Sequence, residues 1–503
     1  MLRKRNIYGI IIAYMKTAMT TISTEKKNGR FYTPKYIVDN VLDLSGYHGS
    51  KILKKHVIDN SCGDGAFLVD IVSRYCDEFF KTEHSTVALS EELSTYIHGI
   101  EIDQKECQKC IFNLNNIVKS YGIDCVNWDV RCADTLTVND YDGKMDYVLG
   151  NPPYVRVHNL GNSFKEIKNF SFAQNGMTDL YIVFYEIGIR MLNEYGVLGY
   201  ITPSSFFNSL AGRYLRSYLV YNNLIDKIVD LKHYQAFSVT TYSAIAILQN
   251  NRTRQTMDYF QFDIKNNFPY YVDTLSINDY YIKDNFYFAD RDNLEELKRI
   301  LTFNCTTEHF AVKNGFATLA DSFFIGNFEF DDFIIPVVKA STGKQYKCIF
   351  PYVKGKLIPY KDLTENSNIK IYYENYKDML LQRSLSPDSD WYGFGRTQGI
   401  NDVYKCKYAI NTLIKTSHDL KLTKCDKGVG VYSGLYILTE VKEFVLHELL
   451  YTNEFISYIA LLGKYKNGGY YTFSSKDLKN YLEYKYSQRM VAENEQHSVF
   501  SST

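Results

Sequence analysis

The sequence predicts an α/β fold, a doubly wound and mostly parallel sheet, followed by a second domain of α+β type. Three observations predict it. Short apolar runs at 56–59, 97–102, 126–130 and 145–150 alternate with helix-period stretches near 66–80, 104–120 and 178–195, the rhythm of strand–helix–strand units. The first run ends in a turn containing Gly63 and Gly65 that opens a helix, and the fourth stops on Asn151-Pro152-Pro153-Tyr154. Finally, 503 residues are too many for one core, which asks for at least two domains.

Residues 1–23 are expected to form an N-terminal arm, with Met15 and Met19 as alternative starts and no room for a nuclease domain before the first motif. The apolar patch Ile7 to Tyr14 falls far below the ~20 residues of a membrane span and lacks a small-residue cleavage site, so no membrane segment is expected. The strand His56-Val57-Ile58 leads into Asp59-Asn60-Ser61-Cys62-Gly63-Asp64-Gly65. Its glycines let a ligand approach the backbone, and the helix start behind them presents free N–H groups. The second strand ends on the carboxylate of Glu101, placed to accept both hydroxyls of a ribose. Its separation from the glycine turn exceeds the usual ~20 residues, so an extra helix is expected within 77–95.

The segment 155–177, with Arg156, His158, Lys165 and Lys168, reads as a loop. Strands at 197–202, 227–232 and 242–249 should complete the sheet with a hairpin, and 256–289 reads as further short strands. A linker is expected near 290–310, giving one domain over 24–290 and another over 300–490.

The tetrapeptide Asn151 to Tyr154 suits chemistry on an amino nitrogen whose lone pair is delocalised into a ring. The Asn151 side-chain carbonyl and the Pro152 backbone carbonyl can each accept one amine hydrogen, favouring a pyramidal nitrogen with its lone pair aimed at an electrophile. Pro152 and Pro153 stiffen the turn and remove competing donors. Tyr154 offers a face on which a base can stack, a contact worth roughly 1–3 kcal/mol. The same four residues also read as a plain strand-ending turn.

Taken in order, these motifs resemble the gamma-class N6-adenine DNA methyltransferases of bacterial restriction-modification systems, which carry a C-terminal target-recognition domain. Gly29-Arg30-Phe31-Tyr32-Thr33-Pro34 is similar to the family's first motif, Asp59 to Phe67 to its cofactor loop with Asn60 where a proline is common, and Cys132-Ala133-Asp134-Thr135-Leu136 to its third element. Asn151 to Tyr154 matches the catalytic motif at all four positions. The resemblance implies a Rossmann-like methyltransferase sheet and S-adenosylmethionine as cofactor, held by Tyr32, Thr33, Asp59, Ser61, Gly63, Gly65, Glu101, Ile102, Asp134, Thr135, Asn151 and Phe184, with no metal. It also implies that Phe237, at the end of Leu231 to Phe237, sandwiches an extruded adenine against Tyr154. Double-stranded DNA is the implied partner, a separate restriction endonuclease a further one, the monomer the implied state, and the cytoplasm of a bacterium or a phage host the implied location.

Composition adds little. Lys plus Arg equals Asp plus Glu at 57 each, so DNA affinity must come from a local basic surface; 341–480 carries 20 basic against 14 acidic residues. Ten scattered cysteines fit a reduced compartment, and Cys107-Gln108-Lys109-Cys110 reads as two positions on a helix. Phe310 to Phe324 and Tyr465 to Tyr484 resemble the two ends of the family's recognition domain. Between them Trp391 to Gln398 is the candidate for groove contact, since Arg396 can pair with guanine and Gln398 with adenine. A core-edge aromatic cluster is the competing reading of that run. Two other functions remain open at this point: a protein-glutamine N5-methyltransferase, whose amide substrate has the same delocalised nitrogen, and a catalytically inactive DNA-binding relative.

Overall fold

The computed structural model describes residues 32–156, 167–174, 178–237, 241–387 and 389–500. The expected arm 1–23, Gly29 to Phe31, His158 and Lys165 lie outside them. The chain divides into two compact units, Met1–Leu294 and Glu295–Thr503.

The first unit is built on a nine-stranded sheet. Its strands are β1 (Val57–Asp59), β2 (Ile97–Glu101), β3 (Asp129–Cys132), β4 (Met145–Gly150), β5 (Leu192–Pro203), β6 (Ile225–Asp230), β7 (Ser243–Gln249), β8 (Thr256–Asp263) and β9 (Phe268–Ser276), in the order β3-β2-β1-β4-β5-β7-β6-β8-β9. Strands β1 to β5 pair in parallel. β7 runs antiparallel between β5 and β6, and β9 antiparallel beside β8. Strand order reverses between β1 and β4, the switch point beside whose strand ends open sheets of this kind bind their ligands.

Helix periodicity explains the flanking layer. α1 (Lys35–Leu44) buries Ile37, Val38, Val41 and Leu42; α2 (Ala66–Phe79) buries Phe67, Leu68, Ile71, Val72 and Tyr75 at the same 3–4 spacing. The extra helix is α3 (Thr86–Tyr96), whose cap Ser85 accepts from the Ala88 N–H at 3.2 Å. α4 (Gln104–Lys119) is capped by Asp103, which accepts from the Lys105 N–H at 2.8 Å, and carries the buried Cys107 and Cys110 on one face. α5 (Leu180–Met191) is buried nearly all round, which is why its sequence reads as continuously apolar.

One expectation needs correction. The third strand occupies 129–132 rather than 126–130. Asn115 Oδ1 accepts from both the Val126 N–H and the Trp128 indole, so this apolar stretch packs on α4 before the ladder begins. The division between the two units falls within the expected 290–310, inside a helix, α6 (Arg291–Thr302), that buries Leu294, Leu297, Ile300 and Leu301.

The second unit is α+β. Ala311–Asn314, Leu435–Leu438, Lys407–Ile410 and Leu422–Cys425 form a four-stranded antiparallel sheet, and Lys344–Ile349, Ile334–Lys339 and Gly430–Tyr432 form a three-stranded one. Its core is aromatic. Phe394 stacks on Phe316 with ring centroids 4.6 Å apart, and Tyr392 and Phe394 are buried, so the aromatic part of 391–398 belongs to the core. Among the described residues no helix is long and apolar enough to cross a membrane.

Candidate active site

The parallel pairing of β2, β1 and β4 brings three strand ends together. Gly63 and Gly65 take φ of +55° and +95°, values that L side chains adopt only under strain. A Cβ on Gly65 would also lie 2.9 Å from Cys110 Sγ, whereas around Gly63 nothing lies within 4 Å of where a Cβ would be. The Gly63 N–H donates to Glu101 Oε2 at 3.0 Å and the Asp103 N–H to Oε1 at 2.8 Å, so the carboxylate ending β2 fastens the glycine loop. Carboxylate oxygens accept more than one hydrogen bond, which keeps the arrangement compatible with a ribose.

Asp59, at the end of β1, is buried and accepts from the Ser61 N–H at 3.0 Å. Burial pushes its carboxyl up to about 7, with the Glu101 charge adding to the effect. Across the strand boundary a Cβ on Gly150 would sit 2.6 Å from Asp59 Oδ1, so the buried acid dictates a glycine at the end of β4. Thr135 Oγ1 donates to the Asn60 carbonyl at 2.7 Å, tying the turn after β3 to the loop after β1. Asp134 caps that turn by accepting from the Leu136 N–H at 3.0 Å.

The tetrapeptide after β4 is gripped from two sides. Asn151 Nδ2 donates to Thr33 Oγ1 at 3.0 Å, just before α1 begins, and Ser61 Oγ donates to the Asn151 backbone carbonyl at 3.4 Å. The Tyr154 hydroxyl donates to the Ile201 carbonyl of β5 at 3.1 Å, and burial holds it well above the usual phenol range. Its ring meets Phe237 edge to face, with centroids 5.8 Å apart and planes at 83°. The two rings expected to sandwich a base therefore touch directly, and a base between them requires one to turn.

The remaining candidates are more scattered. Tyr32 and Ile102 are exposed, Phe184 is buried on α5, and exposed Arg156 pairs through its backbone with Asp179. In the second unit Arg396 and Gln398 are both exposed, and the Arg396 backbone pairs with Ala317. Sequence reading missed the partners of Asn60. This buried amide accepts from the Tyr200 hydroxyl at 2.9 Å and donates to Met191 Sδ at 3.8 Å. Asn60 sits between Asp59 and Ser61 just past the strand, where a polar residue carries no signal of burial in the sequence. Among the described residues no cluster of three or more His, Cys, Asp or Glu is arranged to hold a metal ion.

Residues 5–237 match the family model described as Eco57I restriction-modification methylase. The type II methyltransferase M.BstVI of Geobacillus stearothermophilus is 31% identical over 244 residues, covering 46% of this chain and 44% of that protein. RM.Eco57I of Escherichia coli, a type II restriction enzyme and methyltransferase, is 23% identical over 483 residues, covering 74% of this chain and 47% of that protein. The chain thus aligns with about half the length of these relatives. Among solved structures, the type IIL restriction-modification enzyme MmeI in complex with DNA superposes with a TM-score of 0.60 at 12% identity, covering 88% of this chain and 63% of that one. A nuclease-deletion mutant of the type ISP enzyme LlaGI gives 0.53 at 12% identity, over 91% and 54%. The sheet is a Rossmann-like doubly wound sheet, as in the solved enzymes on which the chain superposes, and residues 5–237, a little under half of the chain, are similar to the Eco57I restriction-modification methylase family.

Proposed function

We propose that this protein is a site-specific DNA methyltransferase that uses S-adenosylmethionine to methylate N6 of an adenine rotated out of double-stranded DNA. The observation that carries the reading is the meeting of two loops at the strand-order reversal: the glycine loop fastened by Glu101, and Asn151 gripped by Thr33 and Ser61.

The residues present fit the donor. Space lies open beside Gly63, and the Glu101 carboxylate stands at the end of β2 where a ribose is recognised in sheets of this kind. When bound, the donor supplies an electrophilic methyl carbon on a sulfonium. The protein's part is positioning. Asn151 Oδ1 and the Pro152 carbonyl accept the two N6 hydrogens, drawing the nitrogen out of conjugation. The Tyr154 ring, fixed through its hydroxyl to β5, provides the stacking face, and Phe237 the opposing one. Neither Asn151 nor Pro152 acts as a base; the amine sheds its proton to water after transfer. Extrusion of the base costs a few kcal/mol, met by the stacking and hydrogen bonds gained. The second unit supplies target recognition, with exposed Arg396 and Gln398 as groove contacts. The names of M.BstVI and RM.Eco57I support methyl transfer, that of RM.Eco57I a link to restriction, and the DNA complex of MmeI supports DNA as the partner.

The test is transfer of a labelled methyl group by purified protein offered both duplex DNA and a glutamine-bearing polypeptide. Label in DNA, recovered as N6-methyladenine at one short motif, is the expected result, and Asn151→Ala abolishes it while leaving DNA affinity largely intact. Label confined to polypeptide favours the glutamine reading. DNA binding without transfer favours the inactive relative.

A further inference from the structure

Phe237 stands at the end of a seven-residue turn that follows β6, and the structure shows what holds that turn. Lys232 takes a left-handed φ of +49°, with its N–H donating to Asp230 Oδ1 at 2.8 Å, and the Tyr234 N–H closes the turn on the Leu231 carbonyl at 2.8 Å. The Tyr234 ring then lies flat on Phe262 of β8, with centroids 5.2 Å apart and planes 17° apart. Its hydroxyl meets the Tyr36 hydroxyl of α1 at 2.5 Å, and the Tyr36 ring closes the group at 6.2 Å from Phe262. α1 is itself fixed to the β8–β9 turn, since the buried Asn40 donates to the Asn267 carbonyl at 3.0 Å.

Tyr36 lies three residues, about one helical turn, beyond Thr33. One helix start therefore grips both walls of the site: Thr33 takes the Asn151 amide, and Tyr36 takes the turn that carries Phe237. We propose that Tyr36 and Tyr234 are positioning residues, a hydroxyl latch that fixes the 231–237 turn so that Phe237 turns from its edge-on contact with Tyr154 to close over an extruded base. The strands β8 and β9 act through the same latch, by way of Phe262. The proposal rests on the function proposed above and deepens it. Both tyrosines are partly buried and pack against the core cluster, so removing one hydroxyl leaves the ring packing in place.

The test uses Tyr36→Phe, Tyr234→Phe and the double variant, with a duplex that the unaltered protein methylates and the same duplex carrying 2-aminopurine at the methylated position. Each single variant should raise KM for DNA and lower kcat by roughly two- to tenfold, the span of one neutral hydrogen bond. The double variant should match the singles, because both remove one interaction. The 2-aminopurine signal of the bound complex should rise, reporting a base less covered by Phe237, while donor affinity stays unchanged and the melting temperature falls by a few degrees at most. Phe237→Ala sets the full effect. If the unaltered protein methylates DNA and the tyrosine variants equal it in KM, kcat and fluorescence, or if the single effects add, the latch is wrong and the function stands. If the unaltered protein transfers nothing to DNA, the function falls and the latch with it.

Discussion

The Thr33 hydroxyl and the Asn151 amide, 118 residues apart, are joined by a hydrogen bond of 3.0 Å in which Asn151 Nδ2 is the donor. Under the function proposed above, an amide whose nitrogen is held in this way keeps its oxygen for the target amine. Thr33→Val keeps the shape and removes the acceptor. We expect kcat to fall about tenfold, corresponding to about 1.4 kcal/mol, with DNA affinity nearly unchanged, and Thr33→Ser to recover most of it. Single-turnover methylation rates decide the matter, and a valine variant as fast as the parent would sink the assignment.

Asn60 and Tyr200 form the second pair across the site. Tyr200→Phe leaves the buried Asn60 Oδ1 without its 2.9 Å donor, which should cost about 1–3 kcal/mol of stability and loosen the cofactor loop. Replacing both partners removes the unmet polar atom. Tyr200→Phe combined with Asn60→Leu should therefore melt above Tyr200→Phe alone, and calorimetry in which the double variant melts lower would contradict the pair.

The strands and helices around this site were legible because spacing encodes them. Gly63, Gly65 and Asn151 to Tyr154 mark strand ends that the structure keeps at β1 and β4. Asn115 capturing Trp128 was not legible, since no periodicity tells that an indole will be held by a helix amide and push the strand to 129–132. The helix Arg291–Thr302 at the unit boundary is hard to read in the sequence because its charged residues mask four buried apolar positions. The run at 391–398 mixed two roles that composition cannot separate: Phe394 faces the core while Arg396 and Gln398 face solvent. Hydroxyl pairs such as Tyr36 with Tyr234, 198 residues apart, are set by the tertiary fold and leave no local pattern in the sequence.

Two glycines at strand ends should fail differently. Gly150→Ala drives a Cβ to 2.6 Å from Asp59 Oδ1 inside the buried strand boundary, so loss of fold is expected. Gly63→Ala meets open space and bears only the strain of φ +55°, roughly 1–2 kcal/mol. That variant should stay folded yet bind S-adenosylmethionine more weakly, because the methyl enters the space proposed for it. Thermal melting and donor titration by calorimetry separate the two, and unchanged donor affinity in folded Gly63→Ala would count against the cofactor site.

The buried acid at the end of β1 makes stability depend on pH. Burial raises the Asp59 carboxyl from 3.8 to about 7, so between those values the folded state holds a proton that the unfolded state has lost. Stability then falls as pH rises through this window, is unaffected by the group below it, and changes no further above it. Asp59→Asn keeps an acceptor for the Ser61 N–H and abolishes the titration. The difference in melting temperature, variant minus parent, should therefore grow in the variant's favour from about pH 4 to about pH 7 and then level off. A difference that is flat across the range, or that grows as pH falls, would show that Asp59 is ionised in the folded protein at every pH measured.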